Sequence, residues 1–443
     1  KIGNIELVGY FANYDELVKQ EDLWGLFAKN DLSKLINSNS EFLLFYLEKD
    51  KKVLRIVADQ FGTIPCYFSF QNDRLVLSTL FAKVMEQTKE LRVDMDGLIT
   101  WLLWEWHATT RTIFEEIKII PPGSVVEVNF GQEKYEVEHL VDLQGFLANP
   151  SEKYVDVATF ANDWEKMMSK VVEERVKAVG DLKISADLSS GLDCTLVAYC
   201  LNKMLGNKLI CQSKVSDVTP EETELSLMNQ FAKLHKINLE ILDTTALDLH
   251  DQDLNNQWRK DETFQISLTS YEYYMKSLES KEIKVQFMGE GGDESYEASV
   301  MDLPESFPGQ NSFFINVMYL KKFGIEKLFT KELVDFALSK ERFNKRIGYS
   351  MIAPISSVIP TASSFANIWE KDIWMMNPFY DTRLIALARK MPESITGKKQ
   401  DKKFAVLSNL PNVFPKEMFV EKFGREKAFV GFAKKQKKFV LEI

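Results

Sequence analysis

Leu182-Lys183-Ile184-Ser185-Ala186-Asp187-Leu188-Ser189-Ser190-Gly191-Leu192-Asp193-Cys194 runs directly into the apolar residues 195–204. A short alternating run, a tight loop of small residues and a helix start form the strand–turn–helix unit from which parallel α/β sheets are built. Unpaired backbone N–H groups at such a helix start face an incoming anion, so the loop reads as a phosphate cradle. The same pattern occurs where a parallel sheet merely turns a corner, and the local sequence leaves both readings open. No lysine follows to make a P-loop, and the G-x-G-x-x-G spacing is absent. A carboxylate inside a phosphate loop repels the phosphate unless a divalent cation stands between them, and hard oxygen ligands favour Mg²⁺. Asp193 therefore points to a nucleotide–metal complex rather than to bare phosphate.

Around this stretch the texture alternates. Phe160, Trp164, Met167, Met168, Val171 and Val172 recur at helical spacing before it. After it come a strand over 208–212, a helix to about His235 opened by the capping box Thr219-Pro220-Glu221-Glu222, a strand over 238–242, a helix around 271–278 and a strand over 283–288. Strand–helix alternation of this kind predicts a doubly wound parallel sheet. Residues 1–149 differ, with short β-branched and aromatic runs at 41–47, 52–58, 65–70, 74–78, 124–130 and 135–139 that predict antiparallel strands, interrupted by helices over 78–87 and 95–106. The change of character near Asn149-Pro150-Ser151 divides the chain into domains 1–149 and 150–443. From residue 311 onward the chain reads as mostly helical, with a Pro/Ser/Thr-rich loop at 355–364. The basic, aromatic stretch 422–438 is either a solvated terminal helix or a docking surface for an acidic partner.

Composition excludes several classes. The chain has 443 residues, 45% hydrophobic content and a formal net charge of −10, which suits packed cores and argues against a nucleic-acid partner. Cys66, Cys194, Cys200 and Cys211 lack C-x-x-C spacing and the four histidines are scattered, so neither a zinc site nor a disulfide framework is signalled. A cytoplasmic location is expected, with no signal peptide and no membrane span, since the richest apolar segment, 98–106, is short and carries Glu105.

A second loop, Met288-Gly289-Glu290-Gly291-Gly292-Asp293-Glu294, follows the last of these strands. Ligands of open parallel sheets bind outside the carboxyl ends of strands, where both loops lie. Glycines let backbone approach a ligand, Asp193 and Asp293 can share a Mg²⁺ on pyrophosphate oxygens, and Glu290 can serve as a base beside the reacting carbon. Taken alone, the loop also reads as a charged surface turn.

Leu188 to Cys194 resembles the S-G-G-x-D-S pyrophosphate loop of the asparagine synthetase family, and Gly289 to Glu294 resembles its G-E-G-x-D-E loop. Pro378-Phe379-Tyr380-Asp381 is similar to the family's P-F-L-D, and Lys403 to the lysine that opens a later helix, with Lys402 and Lys399 as rivals. Asp59-Gln60-Phe61-Gly62-Thr63-Ile64-Pro65-Cys66-Tyr67, Thr112 to Ile117 and Pro121-Pro122-Gly123 are similar to D-x-x-G-x-x-P-L-Y, T-x-F-x-x-I and P-P-G of the family's glutaminase domain. The resemblance spans nearly the whole chain in order. It implies a glutaminase-like, Ntn-type antiparallel domain followed by an ATP-pyrophosphatase domain with a helical extension. It also implies adenylation by ATP and Mg²⁺, in which a carboxylate becomes an acyl-AMP, pyrophosphate leaves, and an amine attacks to give an amide. Under it Ser189, Ser190, Gly191, Leu192, Asp193, Cys194 and Gly289 would hold the nucleotide and Asp193 and Asp293 the metal. Glu290 would manage the amine proton and Lys403 the charge developing on the phosphates.

The loop departs from the family at Ser190 and Cys194, and residues 1–41 show no nucleophilic N-terminal cysteine, R-G-P-D-G or N-G-E-I-Y-N element, so the first domain is expected to be silent as a glutaminase. The expectation is an amide synthetase whose amine does not come from glutamine, of the kind found in β-lactam synthetases and lasso-peptide macrolactam cyclases. Its substrate would be a carboxylate-bearing small molecule or peptide, with a leader peptide, a carrier protein and a homo-oligomer left open as partners. An ammonia-dependent asparagine synthetase and a non-catalytic binding subunit are the alternatives.

Overall fold

Alternating β-branched and aromatic residues pair into ladders in the N-terminal part of this computed structural model. It describes residues 5–10, 32–95, 97–98, 111–140, 152–215, 221–243, 268–297, 331, 371–396 and 402–419. The described elements fall into two units. In the first, β1 (Ile5–Tyr10), β2 (Glu41–Glu48), β3 (Val53–Ala58), β7 (Ser124–Asn129) and β8 (Lys134–His139) form an antiparallel sheet in that order. β5 (Arg74–Ser78), β4 (Tyr67–Gln71) and β6 (Lys118–Ile119) form a second antiparallel sheet. Phe68 of β4 meets Tyr135 of β8 edge to face at 5.1 Å, which joins the two sheets. Helices α1 (Ser33–Ile36) and α2 (Phe81–Gln87) bury Leu35, Ile36, Phe81 and Val84 against them.

The D-x-x-G-x-x-P and P-P-G elements meet in a knot at the end of β3. The buried Asp59 carboxylate accepts from the backbone N–H of Phe42, Phe61 and Thr63 and from the Thr63 hydroxyl at 2.6 Å, while Gly123 N–H donates to the Asp59 carbonyl. Gly62 has φ +59° and its absent Cβ would lie 2.9 Å from Pro122, so only glycine fits. Burial pushes the Asp59 carboxyl up to about 6 against the four donors. Because that folded value lies above the unfolded one, the native state holds an extra proton between about pH 4 and about pH 6, and stability from this residue falls as pH rises through that window. Urea unfolding of wild type and Asp59→Asn across the window checks this. Wild type is expected to lose stability relative to the variant by up to about 3 kcal/mol as the pH rises.

The second unit is the expected α/β part. Helix α3 (Val157–Val179) is capped by Asp156, whose carboxylate accepts from Thr159 N–H, and it buries Phe160, Trp164, Met168, Val171 and Val172 of the stripe read from spacing, leaving Met167 half-buried. β9 (Ile184–Asp187) then leads to α4 (Leu192–Leu205), β10 (Ile210–Val215) to α5 (Glu221–His235), β11 (Asn238–Asp243) follows, and α6 (Leu268–Ser280) precedes β12 (Val285–Phe287) and α7 (Gly292–Glu297). The sheet is parallel in the order β11-β10-β9-β12-β13, with β13 at Trp374–Met376. Strand order reverses between β9 and β12, so the loops after these two strands diverge from a topological switch point. Helices α8 (Thr382–Arg389), α9 (Glu393–Thr396) and α10 (Lys402–Leu407) follow.

Beyond residue 311 the described elements are mostly helical as read, and β13 is a short strand that the reading did not separate. Three residues carry no period that separates a strand from a buried helical turn, and pairing with β12 decides it. The expected helix over 95–106 is described only at 95, 97 and 98. Thr219, Pro220, Lys399, the boundary at 149–151, the loop at 355–364 and the basic stretch at 422–438 lie outside the described residues. Among the described residues no helix is long and apolar enough to cross a membrane.

Candidate active site

The loop after β9 is closed by its own side chains. Gly191 N–H donates to the Ser189 hydroxyl at 3.1 Å, and the Thr195 hydroxyl bonds the carbonyls of Ser189 and Gly191 at 3.1 and 2.6 Å. This stitching bends residues 188–191 so that α4 begins at Leu192 and Asp193 lies in its first turn, where orphan N–H groups favour an anionic neighbour. Thr195 follows the motif at once but carries no motif signal of its own, and its role emerges from the loop geometry alone. Ser190, where the family has glycine, bonds the Glu224 carboxylate of α5; burial raises the Glu224 carboxyl and this bond opposes it. Glu224 was invisible to sequence reasoning because only the fold brings α5 to this loop.

The loop after β12 lies directly against the first. A Cβ on Gly289 would sit 2.3 Å from the Cys194 nitrogen and 2.7 Å from the Asp193 carbonyl carbon, and one on Gly292 would sit 2.3 Å from the Asp193 Cγ. Gly291, at φ +84°, is backed by the Tyr380 ring, 2.6 Å from where its Cβ would be. The glycines are required because another loop fills the space a side chain would take. Glu290 sits half-buried in this turn between Gly289 and Gly291.

Three charged groups meet across the two loops. Lys403, near the start of α10, places Nζ 2.6 Å from Asp193 Oδ2 and 2.5 Å from Asp293 Oδ1. Burial works against the Lys403 ammonium, but the Asp193 and Asp293 carboxylates outweigh it and hold it charged, well above the usual lysine range. The rival Lys402 is buried beside it on α10. Sequence reasoning assigned the position between the carboxylates to the metal and Lys403 to the phosphates; here the ammonium itself bridges the pair. Two hard carboxylate oxygens within reach of one cation suit Mg²⁺, which characteristically takes one or two carboxylates and completes its shell with phosphate oxygens and water. Among the described residues no cluster of three or more His, Cys, Asp or Glu forms an all-protein metal cage. A metal shared with a nucleotide is the kind this donor set fits.

Cys194 occupies the family's serine position. Its thiol lies 3.6 Å from Asp187 Oδ2, and burial with the neighbouring Asp187 and Asp193 carboxylates pushes its pKa up, far from a reactive thiolate. Asp187 also accepts from the Tyr274 hydroxyl at 3.4 Å, which in turn accepts from Gln286 at 2.6 Å, so a polar strip continues from the loop across one sheet face. Burial likewise raises Cys66 and Cys200 to about 12 and Cys211 further. Iodoacetamide near pH 8 is therefore expected to alkylate none of the four cysteines in the folded protein and all of them in urea, read by mass spectrometry.

Comparison with known proteins matches an asparagine synthase family model to residues 163–343 and a glutamine amidotransferase domain model to residues 22–139. The glutamine-hydrolysing GMP synthase of Chlorobaculum tepidum is 26% identical over 116 residues, which are 26% of this chain and 22% of that protein. The chain thus aligns with about a fifth of the length of that curated relative. Among solved structures, the U34-tRNA thiolase NcsA from Methanococcus maripaludis is similar at 13% identity and TM-score 0.29, over 63% of this chain and 74% of that one. The glutamine phosphoribosylpyrophosphate amidotransferase of B. subtilis, complexed with ADP and GMP, is similar at 11% identity and TM-score 0.21, over 64% and 60%.

Proposed function

Carrying a glutamine amidotransferase domain ahead of an asparagine synthase domain, the chain belongs to the asparagine synthetase family, and from that premise we propose that it is an ATP-dependent, AMP-forming amide synthetase. Its amine comes from the substrate or a second substrate rather than from glutamine, and the bond it forms is an intramolecular one of the β-lactam or macrolactam kind. The observation that carries the reading is the meeting of Asp193, Asp293 and Lys403 at the switch point of the parallel sheet, between two loops packed glycine to backbone.

In the first step a substrate carboxylate oxygen bonds to the α-phosphorus of ATP and the bond from that phosphorus to the bridging oxygen breaks, releasing pyrophosphate. Ser189, Gly191 and the N–H groups at the start of α4 hold the pyrophosphate oxygens, and Gly289 lets the β12 loop pack against the backbone of Asp193 and Cys194 beside them. Asp193 and Asp293 would hold Mg²⁺, which neutralises charge on the phosphates when bound. In the second step the amine attacks the acyl carbon, AMP departs with the electrons of the acyl–oxygen bond, and Glu290 takes the amine proton. Lys403 supplies a fixed positive charge beside the phosphates. The glutamine-independent part of the reading is supported by residues 1–41, which spell neither the R-G-P-D-G nor the N-G-E-I-Y-N element.

Incubation with ATP, Mg²⁺ and a panel of ¹⁸O-carboxylate amino acids and short peptides tests the proposal. Pyrophosphate release with ¹⁸O transfer into AMP is expected for one class, with no glutamate formed from glutamine. Asparagine formed from aspartate and ammonia would replace the cyclase reading with the ammonia-dependent one. Failure to bind Mg-ATP in calorimetry would leave a non-catalytic binding subunit, the reading that Ser190 and Cys194 favour.

A further inference from the structure

Lys403 occupies a position that matters beyond the chemical step. Its ammonium makes charge-assisted bonds of 2.6 and 2.5 Å to Asp193 and Asp293, and its side chain is 13% exposed. It projects from α10, which packs on α3 and α7, so its base is fixed while its four-carbon stem can swing. A bare divalent cation approaching Asp193 and Asp293 has to break both bonds and then stand within a few ångström of the ammonium it displaces. Coulomb repulsion at that separation is large in a partly buried site. A cation arriving on a polyphosphate brings anionic oxygens that offer the displaced ammonium a new partner.

We propose that Lys403 is a resident counter-cation that keeps free divalent ions out of the Asp193–Asp293 site, so that metal enters only as the metal–nucleotide complex. The proposal rests on the amide-synthetase reading for the identity of the nucleotide site. It makes Lys403 a selector of the loaded form as well as a charge beside the phosphates, and it spares the site from occupation by free Mg²⁺ that would have to be shed before nucleotide could bind.

Mn²⁺ binding to the full chain, measured by electron paramagnetic resonance and calorimetry, tests this without turnover. Without nucleotide, wild type is expected to bind Mn²⁺ weakly, and both Lys403→Met and Lys403→Gln to bind it at least about tenfold more tightly. Lys403→Arg, which keeps the charge, is expected to behave as wild type. With α,β-methylene-ATP present, wild type is expected to bind Mn²⁺ tightly. Equal affinity for Mn²⁺ alone in wild type and in both neutral variants, each verified as folded by circular dichroism, overturns the inference. Absence of Mn²⁺ binding to wild type with the analogue instead removes the amide-synthetase reading, while the metal-only comparison still decides what Lys403 does.

Discussion

Gly289→Ala is expected to lower pyrophosphate-forming turnover at least about 100-fold. The added Cβ would lie 2.3 Å from the Cys194 nitrogen and 2.8 Å from its Cα, and both are backbone atoms at the start of α4 with no rotamer to yield. Relief comes only if the β12 loop and the β9 loop part by roughly an ångström, a displacement of the size that costs catalytic alignment. The parting also pulls Asp293 from Asp193 and so weakens metal–nucleotide binding. Gly131→Ala is the control, because its Cβ would meet only Asn129 Oδ1 at 3.5 Å, and it is expected to leave turnover unchanged. Single-turnover kinetics with calorimetry of Mg-ATP binding reads both effects. Wild-type turnover in Gly289→Ala would mean that the two loops do not act as one site.

Asp381→Ala is expected to destabilise the protein by about 3–5 kcal/mol, the range for removing one partner of a buried pair. Asp381 and Arg175 are both fully buried and lie 3.2 Å apart, joining α8 to α3. Asp381 also accepts from Arg383 Nε and from the Arg383 N–H that opens α8, and Arg383 reaches on to Glu174 of α3. Removal leaves the buried Arg175 guanidinium, which also donates to the carbonyls of Tyr380 and Val171, without its carboxylate partner. Urea unfolding followed by the fluorescence of buried Trp164, in the same unit, measures the loss. The double change Arg175→Met, Asp381→Leu is expected to recover most of it, because apolar packing replaces a pair whose desolvation nearly offset its attraction. No recovery in the double variant would assign the loss to the cap of α8 and the Arg383 contacts instead. Tyr380, next to Asp381, backs Gly291, so a smaller fall in activity is expected to accompany the lost stability.

Much of the site was legible because its chemistry is local. Ser189, Gly191 and Asp193 lie within five consecutive residues, and a small-residue loop between a strand and a helix declares itself in any window. Gly289, Glu290 and Asp293 did the same at the end of β12. The pairs that hold the site were not legible. Arg175 and Asp381 are 206 residues apart, and on a helix an arginine at 175 reads as one more charge on a solvated face. β13 was missed because three residues show no period, and Glu224 because nothing in α5 announces a neighbour at Ser190.

By itself the sequence determined the two architectures, the order of strands and helices from β2 through β12 apart from the two-residue β6, and both loops at the carboxyl edge of the sheet, since period, turn chemistry and glycine placement act over a few residues. Only the tertiary structure decided that β9 and β12 are neighbours at the reversal of strand order, that glycines 289 and 292 exist to admit Asp193 and Cys194, and that Lys403 stands between the two aspartates. The physical reason is range: a turn is fixed by the torsions of adjacent residues, whereas an ammonium finds its carboxylates 210 and 110 residues away only after the sheet has brought them together.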